Sequence, residues 1–220
     1  MTKLASQIDP HGIAASMSLR RDIYSIIMDI RPFSILETGT YNGLGSTSAI
    51  LHALKDANID PFSFISIESN KRNHREAEKN LSQETYKGTV VLMNANSLPD
   101  YMMPKMVYEV PDHVITDHAD PMKYLKEVPE DIDDDGIYRA MALLDNRPDL
   151  VLLDSAGHLG FLEFEYVCKL AEKGFILILD DTLHRKHYDT LEFIKAHPED
   201  FDILKESKEK FGHAIIWVHG

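Results

Sequence analysis

The sequence predicts a single doubly wound α/β domain, a mostly parallel sheet with helices on both faces. Three observations carry this reading. Short apolar runs alternate with helix-period segments along most of the chain. The first run enters a glycine-rich turn, Glu37-Thr38-Gly39-Thr40-Tyr41-Asn42-Gly43-Leu44-Gly45. The runs Leu150 to Asp154 and Gly174 to Leu179 are almost continuously apolar, as strands covered by helices on both faces must be.

The elements follow in order. Apolar residues at Ile13, Met17, Leu19, Ile23, Ile26, Ile27 and Ile30 predict an amphipathic helix over about 13–30, stopped by Arg31-Pro32 and placed over a sheet edge or the ligand mouth. Phe33 to Leu36 is a strand leading into the glycine turn, and Ser46 to Lys55 is the helix after it. Phe62 to Ile67, ending at Glu68, is a second strand, with a helix over Asn70 to Leu81. Thr89 to Met93 is a third, running into Asn94-Ala95-Asn96-Ser97. The alternation then breaks for about fifty residues, far beyond a normal connection, so 98–148 reads as an insertion or lid. It resumes with the two central strands, helices near Leu159 to Lys173 and Tyr188 to Ala196, and the runs Phe201 to Lys205 and His213 to Val218. Those last two lie too close for a parallel crossover and must close the sheet as an antiparallel hairpin. A chain of 220 residues accommodates all of this as one domain, 1–220.

Composition narrows the function classes. With 23 basic against 36 acidic residues the formal charge is −13, which repels nucleic-acid phosphates and anionic lipid. A lone Cys168 forms no internal disulfide, and no apolar stretch reaches the length of a membrane span or resembles a secretory leader, so a cytoplasmic location is expected. The expected partner is a small molecule, with no nucleic acid and no membrane.

Polar residues close successive strands: Glu37, Glu68, Asn96, Asp154 and Asp180-Asp181. Open α/β sheets bind ligands outside the carboxyl ends of their strands, so these residues mark the site. Gly39 and Gly43 allow the turn to approach a ligand closely, and Glu68 is placed to accept both hydroxyls of a ribose. A carboxylate at Glu37 suits a cationic ligand group better than a diphosphate. Asp154, Asp180 and Asp181 end the two central strands, and three converging carboxylates repel one another unless a cation or proton intervenes. Mg²⁺ or Ca²⁺ would satisfy them, and His158 as a nitrogen ligand would favour a transition metal. The plainer alternative is that these residues cap the helices that follow.

The pattern resembles the S-adenosylmethionine-dependent methyltransferases of the Rossmann-like class from about Ser34 onward, the insertion excepted. The resemblance rests on Leu36 to Gly43, similar to that class's first motif, and on Leu153-Asp154-Ser155-Ala156-Gly157-His158 with Ile178-Leu179-Asp180-Asp181-Thr182, similar to the subgroup related to catechol-type, metal-assisted O-methyltransferases. It implies a seven-stranded sheet and S-adenosylmethionine as cofactor, held by Glu37, Gly39, Thr40, Tyr41, Gly43, Glu68, Ser69 and Asp154, with Asn96 or Asn94 near the adenine. It further implies a divalent cation on Asp154, Asp180 and Asp181, and methyl transfer to a small-molecule hydroxyl in which Asp154, His158 and Asp181 do the chemistry. Without metal, His158 or His184 is the candidate base. Catechol-type enzymes carry a lysine a few residues after the fourth-strand Asp, and here none occurs before Lys169, which argues against a catechol-like acceptor. The rival readings are an NAD(P)-dependent oxidoreductase and a non-catalytic module that binds a nucleoside cofactor.

The insertion is rich in proline, with short helices expected near Met122 to Glu127 and Ile137 to Asn146. It selects the substrate or forms a homo-oligomer contact, and composition favours neither. Asp131-Ile132-Asp133-Asp134-Asp135-Gly136 matches the opening of an EF-hand loop, but Ala142 stands where the twelfth-position Glu is required, so helix capping is the better explanation of these acids.

Overall fold

The computed structural model describes residues 16–100, 102, 132–155 and 159–220. Their strands are β1 (Ser34–Thr38), β2 (Ser63–Glu68), β3 (Thr89–Asn94), β4 (Leu150–Leu153), β5 (Phe175–Asp180), β6 (Phe201–Ser207) and β7 (His213–Val218). Their helices are α1 (Met17–Ile30), α2 (Ser46–Asp56), α3 (Lys71–Leu81), α4 (Gly136–Leu143), α5 (Gly160–Leu170) and α6 (Tyr188–Ala196). The strands form one seven-stranded sheet in the order β3-β2-β1-β4-β5-β7-β6. The first five pair in parallel, and β7 runs antiparallel to both β5 and β6.

Period-two alternation sorts the strand residues onto two cores. Leu36, Ile67, Val151, Leu153, Leu177 and Leu179 face α4, α5 and α6, where they meet residues such as Ile137, Phe164 and Ile194. Their chain neighbours Ile35, Leu150, Leu152, Ile176 and Ile178 face α1 and α2, packing with Ile23, Ile27, Ile50 and Leu54. Helices on both faces explain why the central strands are apolar at every position before the terminal Asp180.

The expected helix at 13–30 is observed from Met17, where the Ser16 hydroxyl accepts the Leu19 N–H at 3.1 Å and caps it. It lies on a sheet face beside α2 rather than over an edge, and its Arg20 guanidinium reaches the Leu44 carbonyl of the glycine turn. α1 is also tied to the C-terminal hairpin. The buried Asp22 accepts from Lys205 Nζ at 2.6 Å and pairs with His213 Nε2 at 2.9 Å, and these two partners outweigh burial and hold its carboxyl below the usual range. Asp22→Ala strands the buried His213, while the half-exposed Lys205 turns to solvent, and is expected to cost about 2 kcal/mol in urea denaturation; a change under about 0.5 kcal/mol would show that the pairing contributes nothing.

The helix expected near Ile137 to Asn146 is α4, whereas the one expected near Met122 to Glu127 falls outside the described residues. Helix capping does not account for Asp135: its side chain makes no cap bond and instead accepts from the Tyr166 hydroxyl at 3.0 Å, tying α4 to α5. No helix of the described residues is long and apolar enough to cross a membrane.

Candidate active site at the strand ends

The carboxyl ends of β1, β2, β4 and β5 share one edge of the sheet, and the glycine turn is laced into it. The Gly39 and Thr40 N–H groups both donate to the Ile67 carbonyl, at 2.9 and 3.3 Å. Gly39 has φ +85°, and a Cβ there would lie 2.3 Å from the Asp154 carbonyl oxygen, so only glycine lets the β1 turn pass so close to the end of β4.

Glu68 closes β2 with one oxygen accepting the Tyr41 N–H and the other the Asn70 N–H, each at 2.7 Å. Burial nevertheless raises its pKa above the ordinary value. The Asn73 side chain is a further donor to this carboxylate. Ser69 follows, half-buried, and the Asn94 amide donates to the Glu68 carbonyl at 2.7 Å and the Ser69 carbonyl at 3.3 Å, fixing this corner. Asn96 is buried, its backbone bonded to Asp133 and Gly136 at the start of α4. Thr40 is buried too, its hydroxyl 2.5 Å from that of Ser66.

Glu37 differs from expectation. It has no exposed face, and its oxygens accept from Ser46 Oγ at 2.6 Å, Thr47 Oγ1 at 2.7 Å and Ser66 Oγ at 2.6 Å. In place of direct contact with a cationic ligand, it holds the first turn of α2 against β1 and β2. The physical reason is strand alternation: Glu37 shares the face of Ile35, which looks toward α2. Burial pushes its carboxyl up to about 7 despite the three hydroxyls. A second buried acid, Glu163 of α5, which the sequence did not single out, accepts the Thr38 hydroxyl at 3.0 Å from the other side of β1.

Asp154, Asp180 and Asp181 converge, with one oxygen from each within 4.8 Å of the others. Between two of them lies a cation that sequence reasoning missed. Lys186 Nζ sits 2.6 Å from Asp154 Oδ1 and 2.8 Å from Asp181 Oδ2, and the side chain is 9% exposed. Burial opposes the charge on Lys186, but the Asp154 and Asp181 carboxylates outweigh it and raise its pKa further. The same contact outweighs burial at Asp181 and holds it below the usual carboxylate range. Asp180 is pushed up to about 8 by burial and by the charges of Asp154 and Asp181, against the opposing charge of Lys186. Asp154 is also raised, chiefly by burial. The signal for Lys186 was the charge demand of the three acids, but a search confined to the residues after Asp154 does not reach the loop after β5.

His184 is buried near this cluster, its Nδ1 accepting the Lys186 N–H at 3.2 Å. His158 lies outside the described residues.

No protein-family model matches the chain, and no curated protein matches it in sequence. Solved structures do match. The O-methyltransferase TomG from Streptomyces achromogenes, involved in tomaymycin synthesis and solved in complex with SAM, is 14% identical, with 95% of this chain and 83% of that chain covered and a TM-score of 0.58. An O-methyltransferase from Bacillus cereus in complex with SAH is 14% identical over 92% of this chain and 81% of that one, with a TM-score of 0.54. A methyltransferase from Geobacter sulfurreducens matches at 14% identity, 94% and 81% coverage and a TM-score of 0.58.

The fold is the Rossmann-like methyltransferase fold.

Within this methyltransferase fold the described site divides in two. Glu68, Ser69 and Tyr41 gather where β1 and β2 end, and Asp154, Asp180, Asp181 and Lys186 gather where β4 and β5 end, with Gly39 packed against the backbone of Asp154 between them. The donor set of the second half suits a divalent cation in charge, but two of its three acids already pair with the Lys186 ammonium.

Proposed function

We propose that this protein is a methyltransferase that moves the methyl group of S-adenosylmethionine to a hydroxyl of a small-molecule acceptor. The observation that carries the reading is Glu68. Its carboxylate is anchored by two backbone N–H groups at the mouth of the glycine turn, where in this reading it receives the ribose hydroxyls of a nucleoside, with the Asn73 side chain as a further donor nearby. The fold shared with O-methyltransferases solved with SAM or SAH supports the choice of nucleoside and acceptor atom.

In this reading the ribose sits on Glu68, the turn at Gly39 to Gly43 follows the methionine portion, and the adenine lies toward Asn96. The sulfonium methyl then points toward the second half of the site, where the acceptor binds. The acceptor oxygen attacks the methyl carbon in line with the breaking carbon–sulfur bond, S-adenosylhomocysteine leaves, and the hydroxyl proton passes to a nearby base. Asp154, made more basic by burial, and Asp181 are the carboxylates at hand, and His158 is the further candidate. A divalent cation would supply Lewis acidity to the acceptor oxygen, but it competes with Lys186 for the same carboxylates.

S-Adenosylhomocysteine is expected to raise the thermal midpoint, and NAD is not, because a ligand of the native state stabilises it by mass action. Glu68→Ala should weaken that binding about 10- to 100-fold, the loss of two hydrogen bonds to a charged acceptor. Titration calorimetry decides: unchanged affinity removes Glu68 from the site, and stabilisation by NAD alone replaces the methyltransferase reading with an oxidoreductase.

A further inference from the structure

We infer that Lys186 is the resident cation of this site, and that its ammonium replaces a divalent metal between Asp154 and Asp181. The catalytic consequence, a methyl transfer that runs without metal, rests on the function proposed above; the occupancy of the cluster does not.

The geometry of the side chain is that of an occupant rather than a neighbour. Nζ reaches one carboxylate oxygen of Asp154 at 2.6 Å and one of Asp181 at 2.8 Å, and its third contact is the Asp154 carbonyl at 3.4 Å. The two carboxylate oxygens belong to two of the three carboxylates that offer ligand atoms within 4.8 Å of one another. The ammonium already supplies the positive charge these acids call for, and it repels a divalent ion that approaches the same carboxylates.

The backbone that carries Lys186 is also fixed from several sides. His184, Arg185, Lys186 and His187 are all buried. The Lys186 carbonyl packs against Gly160, where a Cβ would lie 2.1 Å from its oxygen, so α5 begins directly on this segment. Upstream, the Thr182 and Leu183 N–H groups donate to the carbonyls of Gly212 and Phe211 at 3.2 and 2.7 Å, which locks the segment to the β6–β7 loop. A metal that displaced the ammonium would turn it out of the two carboxylate contacts it makes among the described residues while the main chain stays in place. Leaving a charge buried and unpartnered in this way is strongly unfavourable.

Asp181 is shaped for this pair. It holds φ +59°, a left-handed conformation that aspartate tolerates better than most residues, immediately after β5. The turn brings Asp181 and Lys186, five residues apart, into contact, so the cation and one of its anions come from the same short loop while the other anion comes from β4.

The test is uptake of Mn²⁺ by the purified full chain, followed through loss of the free-ion paramagnetic resonance signal, in the wild type and in Asp154→Asn and Lys186→Met. The wild type is expected to show no sub-millimolar uptake that depends on Asp154. Lys186→Met, which keeps the unbranched stem of the side chain and removes its charge, is expected to take up one Mn²⁺ per chain. Wild-type uptake that Asp154→Asn abolishes would overturn the inference, as would a folded Lys186→Met that gains none. If Lys186→Met does not fold, the wild-type comparison with Asp154→Asn still decides. Stabilisation by S-adenosylhomocysteine in the presence of EDTA is read separately: its failure would sink the methyltransferase reading and leave the Mn²⁺ result standing.

Discussion

Gly39→Ala is expected to cost about 3–5 kcal/mol, lower the thermal midpoint by about 10 °C and abolish stabilisation by S-adenosylhomocysteine. Two costs combine. At φ +85° an alanine is in a region that L side chains rarely occupy, and its Cβ would lie 2.3 Å from the oxygen and 2.6 Å from the carbon of the Asp154 carbonyl. The neighbour is backbone, so no rotamer change relieves the contact. The ends of β1 and β4 must move apart, which breaks the 3.1 Å hydrogen bond from the Asp154 N–H to the Thr38 carbonyl and shifts the acid that Lys186 holds. Thermal unfolding with and without the ligand separates the two effects. A midpoint near that of the wild type with the ligand shift retained would mean that the approach of the two strands is not needed.

The second large effect is one of pH. Glu37 titrates near 7 in the folded protein, against an ordinary value of 4.5, because burial disfavours its charged form. A group with a raised folded pKa holds its proton more tightly in the native state, so its contribution to stability is fully present below the unfolded pKa and is lost as pH rises through the folded one. Glu37 is therefore expected to contribute a loss on the order of 3 kcal/mol between about pH 4.5 and pH 7, opposed over much of that range by His187, whose pKa burial lowers to about 3. Asp180, raised to about 8, extends the loss toward alkaline pH. Glu37→Gln keeps the shape of the side chain, never ionises, and is expected to flatten the slope below about pH 7 while leaving the segment due to Asp180. Urea denaturation across this range in both proteins measures it; parallel curves would show that Glu37 ionises in the native state as easily as in the unfolded chain.

Much of this was legible because strands and helices impress their periods on the sequence. The alternation that separates Ile35 from Leu36, and Ile176 from Leu177, reports which face each residue takes, and the structure puts them in opposite cores. The closing hairpin followed from the shortness of its connection. The placement of β7 between β5 and β6 did not, because strand order depends on which edges meet in three dimensions. Glu37 was misread as a ligand contact although its face was encoded: in the strand it stands level with Ser66 of β2, on the side of Ile35 and Phe64, where α2 closes over it. Position along the strand was used and parity was not. Lys186 left no periodic trace. It sits in an irregular turn whose direction is set by its hydrogen bonds to Phe211 and Gly212, residues distant in sequence. Irregular segments carry their geometry in long-range contacts, which no local pattern records.

The insertion of β7 beside β5 also bears on synthesis. Residues Phe175 to Asp180 find their last partner only in His213 to Val218, which follow the whole of α6 and β6 in the chain. Until that segment has left the ribosome, a nascent chain presents one side of its most apolar strand unpaired, and such an edge invites pairing with other chains. The loop that carries the ammonium lacks part of its support over the same interval, since the Phe211 and Gly212 carbonyls that receive its N–H groups come late in the chain. Emergence of β7 thus removes the aggregation hazard and completes the charged cluster in a single event.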